Sequence, residues 1–208
     1  MIPKRIIQVW MQGDLNSKIK DNITRLNPGY EYLFFSEKDC INYINKYYSE
    51  TLQNLFENIS NLAHKCDLFR YCYLYKEGGI YIDADLEMKV SCDTIIDTSK
   101  SSFITAVGAH SNNTFGECTN GFILTEPSNN IFLYLIDFIV VNPNPRDYGL
   151  YVKDLFNKLT PKQLYKSYYL GDLSYYLYRE VRISGKYYIV DSNNNIIIHT
   201  NGHNYLDL

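Results

Sequence analysis

The residues of this chain best placed for chemistry are Asp67, Arg70, Tyr81, Asp83 and Asp85. Asp67 and Arg70 stand at i and i+3, so on a helix they share a face and can meet a common ligand. Gly78 and Gly79 come next, a helix stop of the kind that uses left-handed dihedrals. Ile80, Tyr81 and Ile82 then suit a buried strand. Asp83 and Asp85 fall at its end, on one side if the backbone stays extended. An open α/β sheet places its ligand at the carboxyl ends of its strands. Paired hard oxygens there suit a divalent cation that keeps positions open for phosphate oxygens. Taken alone, Asp67 and Arg70 read as an intrahelical ion pair worth about 0.2–0.5 kcal/mol if exposed. The acidic pair downstream favours a shared ligand instead. Glu87 continues the alternation, as a supporting group or a solvated carboxylate.

These residues need a sheet with helices against it, and the flanking sequence predicts one. Residues 5–10 form a β-branched run ending in the only tryptophan, Trp10, and read as a first strand. Trp10 fits either core packing or stacking on a flat ligand, and the strand-end position favours stacking. Asp14 can cap a helix whose Leu15, Ile19, Ile23 and Leu26 share a face. Asn27-Pro28-Gly29 stops it, and residues 30–35 make a second strand. Ser36 and Asp39 form a capping box, and the chain is mostly helical to Leu62. Tyr43, Tyr47, Tyr48 and Phe56 read there as packing residues. Strands are expected at 103–107 and 121–125, with a polar loop at 110–119 between them. Ser128 is expected to cap a helix over 129–141, closed by Pro143 and Pro145. Residues 155–159 and 173–181 read as helices, and 187–190 with 196–199 as a hairpin around 192–195.

The 208 residues, 46% of them hydrophobic, suffice for one core and not for two comfortable domains. A single domain over 1–208 is expected, with a core at 1–142 and an acceptor-side, C-terminal portion at 143–208. A net charge of −3 without a Lys/Arg cluster leaves no footprint for nucleic acid. No apolar run reaches the roughly 20 residues of a membrane span, and Asp137 interrupts the most apolar stretch, 131–141. The opening residues lead straight toward a strand, so the expectation is a cytoplasmic chain or a part of a longer protein. Five cysteines with no CxxC pair read as reduced, mostly buried thiols.

The central run resembles the DXD-containing core of sugar-nucleotide glycosyltransferases with a GT-A fold. It is most similar to glycosyltransferase family 32, with the glucosylating clostridial toxins as distant relatives. The family string is roughly SDxxRxxxLxxxGGxYxDxD. Asp67, Arg70, Leu74, Gly78, Gly79, Tyr81, Asp83 and Asp85 stand at its places, with Cys66 where serine is usual. Gln8 and Trp10 match the family's opening IPKxIHQxW, Ile7 replacing its histidine, and 27–35 resembles its NPxYEYxxxxD segment. Asn120-Gly121-Phe122 resembles its NxFxxxxPxxP segment. The tail from His199 to Tyr205 resembles a degraded HxxxxSW, and the family's TGP element is missing beyond Asn144.

The resemblance implies an α/β fold: a GT-A-like, Rossmann-type mixed sheet flanked by helices. It implies transfer of a hexose from a UDP- or GDP-sugar to an acceptor hydroxyl on a glycan, protein or lipid, with retention of configuration and Mn²⁺ or Mg²⁺ as cofactor. Gln8 and Trp10 would meet the nucleotide, and Asp67 and Arg70 the sugar hydroxyls. Tyr81 would line the donor pocket, Asp83 would touch ribose and metal, and Asp85 would bind the metal. Asn120 would face the reacting sugar, and His203 would add a ligand from the tail. Three alternatives stay open: a two-carboxylate hydrolase, a metal-dependent nucleotidyltransferase, and a non-catalytic sugar-nucleotide binding module. The hydrolase is disfavoured, since catalytic carboxylates there stand about 5–9.5 Å apart across a glycosidic bond.

Overall fold

In the computed structural model the described residues are 1–12, 17–109, 115–141, 167–170, 173–184 and 186–200. Strand β1 (Arg5–Val9) leads to helix α1 (Ser17–Leu26), which buries Ile19 and Ile23. Strand β2 (Glu31–Phe35) follows, then α2 (Glu37–Tyr47), α3 (Glu50–Asn58) and α4 (Leu62–Glu77). The expected capping box opens α2: Ser36 Oγ accepts from the Asp39 amide and the Asp39 carboxylate accepts from the Ser36 amide. Next come β3 (Gly79–Ile82), β4 (Leu86–Met88), α5 (Cys92–Ser99), β5 (Phe103–Ala109), β6 (Phe115–Thr125) and α6 (Asn130–Val141). Strands β7 (Ser167–Leu170), β8 (Leu173–Ile183), β9 (Lys186–Val190) and β10 (Ile196–Thr200) complete the described elements.

The strands form one mixed sheet in the order β2-β1-β3-β6-β5-β8-β9-β10-β4, with β7 also on β8. β1 runs parallel to β2 and β3, and β5 parallel to β8, while β6 is antiparallel to β3 and β5. Strands β3 and β4 stand six places apart in this order, about 29 Å in a flat sheet at ~4.8 Å per strand. Yet only residues 83–85 join them, a link that reaches at most about 14 Å. The sheet must therefore curl, bringing β10 and β4 back toward β1 and β3. The buried side chains agree: Ile6, Ile80, Ile82, Met88, Ile104, Phe122 and Ile198 share one cluster with Ile19 and Ile23 of α1 and Ile95 of α5. The other face carries α2, α3, α4 and α6 over Ile7, Tyr81, Phe103, Ile123 and Leu177.

Helix α4 is buried nearly all round, from Lys65 through Leu74 apart from Asp67, as a helix covered on both sides must be. Asn61 Oδ1 caps it by accepting from the Ala63 and His64 amides, and Gly78 ends it at φ 62°, ψ −166°. That conformation is open essentially to glycine alone. A Cβ at Gly78 would also lie 2.6 Å from the Pro127 nitrogen. Gly78→Ala is therefore expected to cost at least about 1–3 kcal/mol, read as a lower denaturant midpoint with an unchanged m-value.

Several expectations need correction. Residues 173–181 are the core of strand β8, not a helix. Tyr175 through Tyr178 are all buried because layers cover both faces, so the apolar run does not alternate and periodicity cannot separate it from a helix. Residues 115–119, expected in a loop, extend β6. Helix α6 is capped by Asn129, whose Oδ1 accepts from the Ile131 amide, while Ser128 sits at φ 60°. The short β4 and α5 were not anticipated. The hairpin of β9 and β10 forms, with Asp191 Oδ1 accepting from the Asn193 and Asn195 amides. Asp14, the helix at 155–159 and the tail residue His203 lie outside the described residues. Four cysteines, Cys40, Cys66, Cys72 and Cys92, are described; all are free and buried. No described helix is long and apolar enough to cross a membrane.

Candidate functional site

Arg70 reaches the site from the middle of α4 and is 3% exposed. Its Nη1 donates to Asn120 O at 2.6 Å and pairs with Asp67 Oδ1 at 2.9 Å. Its Nη2 donates to the Tyr81 hydroxyl at 3.0 Å and to Asp83 Oδ1 at 2.9 Å. The guanidinium also lies 4.0 Å from the centroid of the Tyr81 ring. One planar fork thus joins α4, β3 and β6, which a lysine's point charge could not do. Only Nε is left buried without an acceptor. Arg70 is therefore a hub that fixes two carboxylates. Tyr81, 1% exposed, is its support and does not line an open cavity.

Asp83 follows β3 directly, its amide donating to Gly121 O at 2.8 Å and its carbonyl accepting from the Leu86 amide at 3.0 Å. That second bond closes a turn over residues 83–86, so the backbone does not stay extended between the two aspartates. They remain close all the same: Asp83 is one of the charges acting on Asp85. Burial, with the like charge of Asp83 second, pushes the Asp85 carboxyl up to about 7. Burial also pushes Asp67 up to about 6, with Arg70 opposing and Asp83 adding to the rise. Three carboxylates share one guanidinium here, a local excess of negative charge.

A group whose folded pKa is raised lends stability at low pH and loses it as pH rises through that value. The metal-free protein is thus expected to lose stability between about pH 4 and pH 7 on account of Asp85 and Asp67. Asp85→Asn removes the larger part. Denaturant titrations at pH 5 and pH 8 should find that variant gaining on the wild type at the higher pH; an equal difference at both would contradict the assignment.

Gln8 is fully buried, its Nε2 donating to Asp83 O at 3.1 Å and its Oε1 accepting from the Tyr32 hydroxyl at 2.7 Å. The expected direct contact with a nucleotide is not available in this arrangement, because the side chain is buried with its Nε2 holding the turn and its Oε1 holding Tyr32. Trp10 is partly buried just past β1, its amide donating to Phe35 O. Asn120 comes from β6, its Oδ1 accepting from the Tyr71 hydroxyl at 2.8 Å. Glu87 is engaged by Lys89 at 2.5 Å and His199 at 2.9 Å across the β4–β10 ladder, so it ties down β4. Tyr71 and Gly121 were missed as site residues. A Cβ at Gly121 would stand 2.5 Å from Asp83 Oδ2, a demand set by a distant residue that leaves no local signal.

Among the described residues no group of three or more His, Cys, Asp or Glu side chains could enclose a metal. Asp83 and Asp85 fit an open cation site: two hard oxygen donors, in excess of their counter-charge, with the rest of the shell left to ligand oxygens and water. A groove of about 400 Å³ lies elsewhere, along β2 beside α2 and the end of α4, lined in part by Arg5, Glu31, Tyr43, Tyr73 and Glu77. On its wall Arg5 pairs with Glu31 at 3.4 Å and Glu77 at 3.2 Å.

Residues 13–102 match the family described as glycosyltransferase sugar-binding region containing DXD motif. An uncharacterised glycosyltransferase of Acanthamoeba polyphaga mimivirus is 26% identical over 149 residues, 69% of this chain and 58% of that protein. Inositol phosphoceramide mannosyltransferase 3 of Schizosaccharomyces pombe is 30% identical over 99 residues, 46% of this chain and 26% of the relative. The mannosyl phosphorylinositol ceramide synthase SUR1 of Saccharomyces cerevisiae is 31% identical over 88 residues, 41% of this chain and 23% of the relative. The chain thus spans little more than half of the viral relative and about a quarter of these fungal ones. Among solved structures, the PaToxG glycosyltransferase superposes with a TM-score of 0.56 at 17% identity, over 76% of this chain and 70% of that one. That likeness shows the GT-A-type fold.

Proposed function

We propose, from the match of residues 13–102 to the DXD-containing sugar-binding region of glycosyltransferases, a metal-dependent transferase. It moves a hexose from a UDP- or GDP-sugar to an acceptor hydroxyl, with retention of configuration. The observation that carries the reading is the single guanidinium of Arg70 holding Asp67, Asp83 and the Asn120 carbonyl together, with Asp85 beside them. Asp85 and Asp83 are the residues that would hold Mn²⁺ or Mg²⁺. When bound there, the cation supplies Lewis-acid neutralisation of the leaving diphosphate.

The chain's own groups do the rest. Arg70 orients Asp67 and Asp83, whose carboxylates are 17% and 31% exposed and keep lone pairs free for sugar and ribose hydroxyls. Asn120, with Oδ1 taken by Tyr71, would have its amide NH₂ to donate to the sugar. Trp10 would stack on the base, and Gln8 holds the Asp83 peptide still. Positioning and fixed charge then carry most of the rate. The fungal relatives are named for mannosyl transfer to inositol phosphoceramide, which makes GDP-mannose the first donor to try. One transferase domain over 1–208 would then carry the activity, its 1–142 core holding the donor.

The test is a panel of UDP- and GDP-hexoses with and without Mn²⁺ or Mg²⁺, scoring release of nucleoside diphosphate with and without acceptors. Metal-dependent diphosphate release is expected. Pyrophosphate as product would instead mark a nucleotidyltransferase, and binding without any release a non-catalytic module.

A further inference from the structure

Thr105 and Val107, two apart on β5, face Ile123 and Cys118, five apart on β6, so β6 carries three residues more than its partner. A bulge leaves peptide groups off the ladder, and buried ones must be tied elsewhere. The ties here come from two residues outside the family motif. Thr105 is 1% exposed, and its hydroxyl lies 3.0 Å from Thr119 O and 2.8 Å from Phe122 O, carbonyls at either end of the bulge. The Thr119 hydroxyl donates to Glu180 Oε2, on β8, at 2.7 Å. Between these anchors stand the two residues that shape the site. Asn120 meets Arg70 and Tyr71, and Gly121 accepts from the Asp83 amide and makes room for its carboxylate.

We propose that Thr105 and Glu180 are positioning residues that clamp the β6 bulge, fixing Asn120 and Asp83 for a nucleotide sugar. The proposal rests on the transferase reading for its ligand, while the clamp itself is a statement about geometry. A strand with three surplus residues has other registers open to it, and slipping would carry Asn120 away from Arg70. The single Thr105 hydroxyl proton is shared between the carbonyls at the two ends of the surplus, and Glu180 fixes the Thr119 side chain from β8, on the far side of β5. Burial raises the Glu180 carboxyl, with the Thr119 hydroxyl opposing, so that hydroxyl helps keep the buried carboxylate ionised.

Thr105→Val keeps the branched shape and removes the hydroxyl, Thr105→Ser keeps the hydroxyl, and Glu180→Gln weakens the second anchor. Three readouts apply to each: donor turnover, calorimetric binding of nucleotide sugar with Mn²⁺, and the crystal structure of the metal-free variant. Thr105→Val should lose about 10- to 100-fold in kcat/KM, as for other groups that orient metal-site residues. Thr105→Ser should recover most of that loss, and Glu180→Gln should fall between the two. The Thr105→Val structure should show Asn120 and Gly121 displaced from Arg70 and Asp83. Wild-type kinetics with an unmoved bulge, or equal losses in the Val and Ser variants, would overturn the clamp. If the wild type neither binds nor turns over any nucleotide sugar, the transferase reading fails. The crystal structures then decide alone: a displaced bulge supports the clamp and an unmoved one ends it.

Discussion

Asp85→Ala is expected to abolish metal-dependent donor binding and to lower turnover by at least about a hundredfold. A cation acting on a leaving diphosphate is worth several kcal/mol of transition-state stabilisation, and each 1.36 kcal/mol is tenfold in rate. The same substitution should leave the unfolding midpoint at neutral pH unchanged or raise it, because burial and the neighbouring Asp83 charge both oppose ionisation of Asp85. Lost turnover with retained stability marks a residue kept for its ligand. Unchanged turnover, or a loss matched by unfolding, would contradict the role given to Asp85.

Arg70→Met is expected to act in the opposite way, on the fold first. Breaking a buried ion pair by removing one partner costs about 3–5 kcal/mol, because the remaining charge stays buried and unpaired. Here two carboxylates lose their partner, and the Asn120 carbonyl and Tyr81 hydroxyl each lose a donor. The partial exposure of Asp67 and Asp83 lets water relieve some of this, which places the loss near about 3 kcal/mol. Arg70→Lys should restore part of the stability and little of the activity, since an ammonium cannot serve four acceptors on three elements. Adding Asp83→Asn to Arg70→Met should recover stability, the non-additivity expected of groups that share a network. Purely additive losses in that double variant would show that Arg70 and Asp83 are not coupled.

What the sequence disclosed here is what local spacing can encode. Asp67 and Arg70 share a helix face because they are three apart, Gly78 and Gly79 end that helix at positive φ, and Ile80–Ile82 is a buried strand. What it hid depends on partners far along the chain. Tyr81 and Gln8 stand in the motif beside the candidate ligand residues, yet both are buried and engaged with the protein itself. The turn at 83–86 exists because β4 must reach β10, more than a hundred residues later. Strand β8 was misread because burial on both faces erases alternation. The β6 bulge, which brings Asn120 to Arg70 and Gly121 to Asp83, is a matter of register, and register is written in no single segment.

The account turns on whether the Asp83–Asp85 corner takes a cation together with a nucleotide sugar. A crystal of the protein soaked with Mn²⁺ and an unreactive UDP- or GDP-hexose, with data collected at the manganese absorption edge, asks this directly. The account predicts one anomalous peak against the Asp85 carboxylate, with diphosphate oxygens on its open side and the hexose toward Asp67 and Asn120. A nucleotide sugar bound elsewhere, or no manganese peak at this corner with the nucleotide in place, would contradict it.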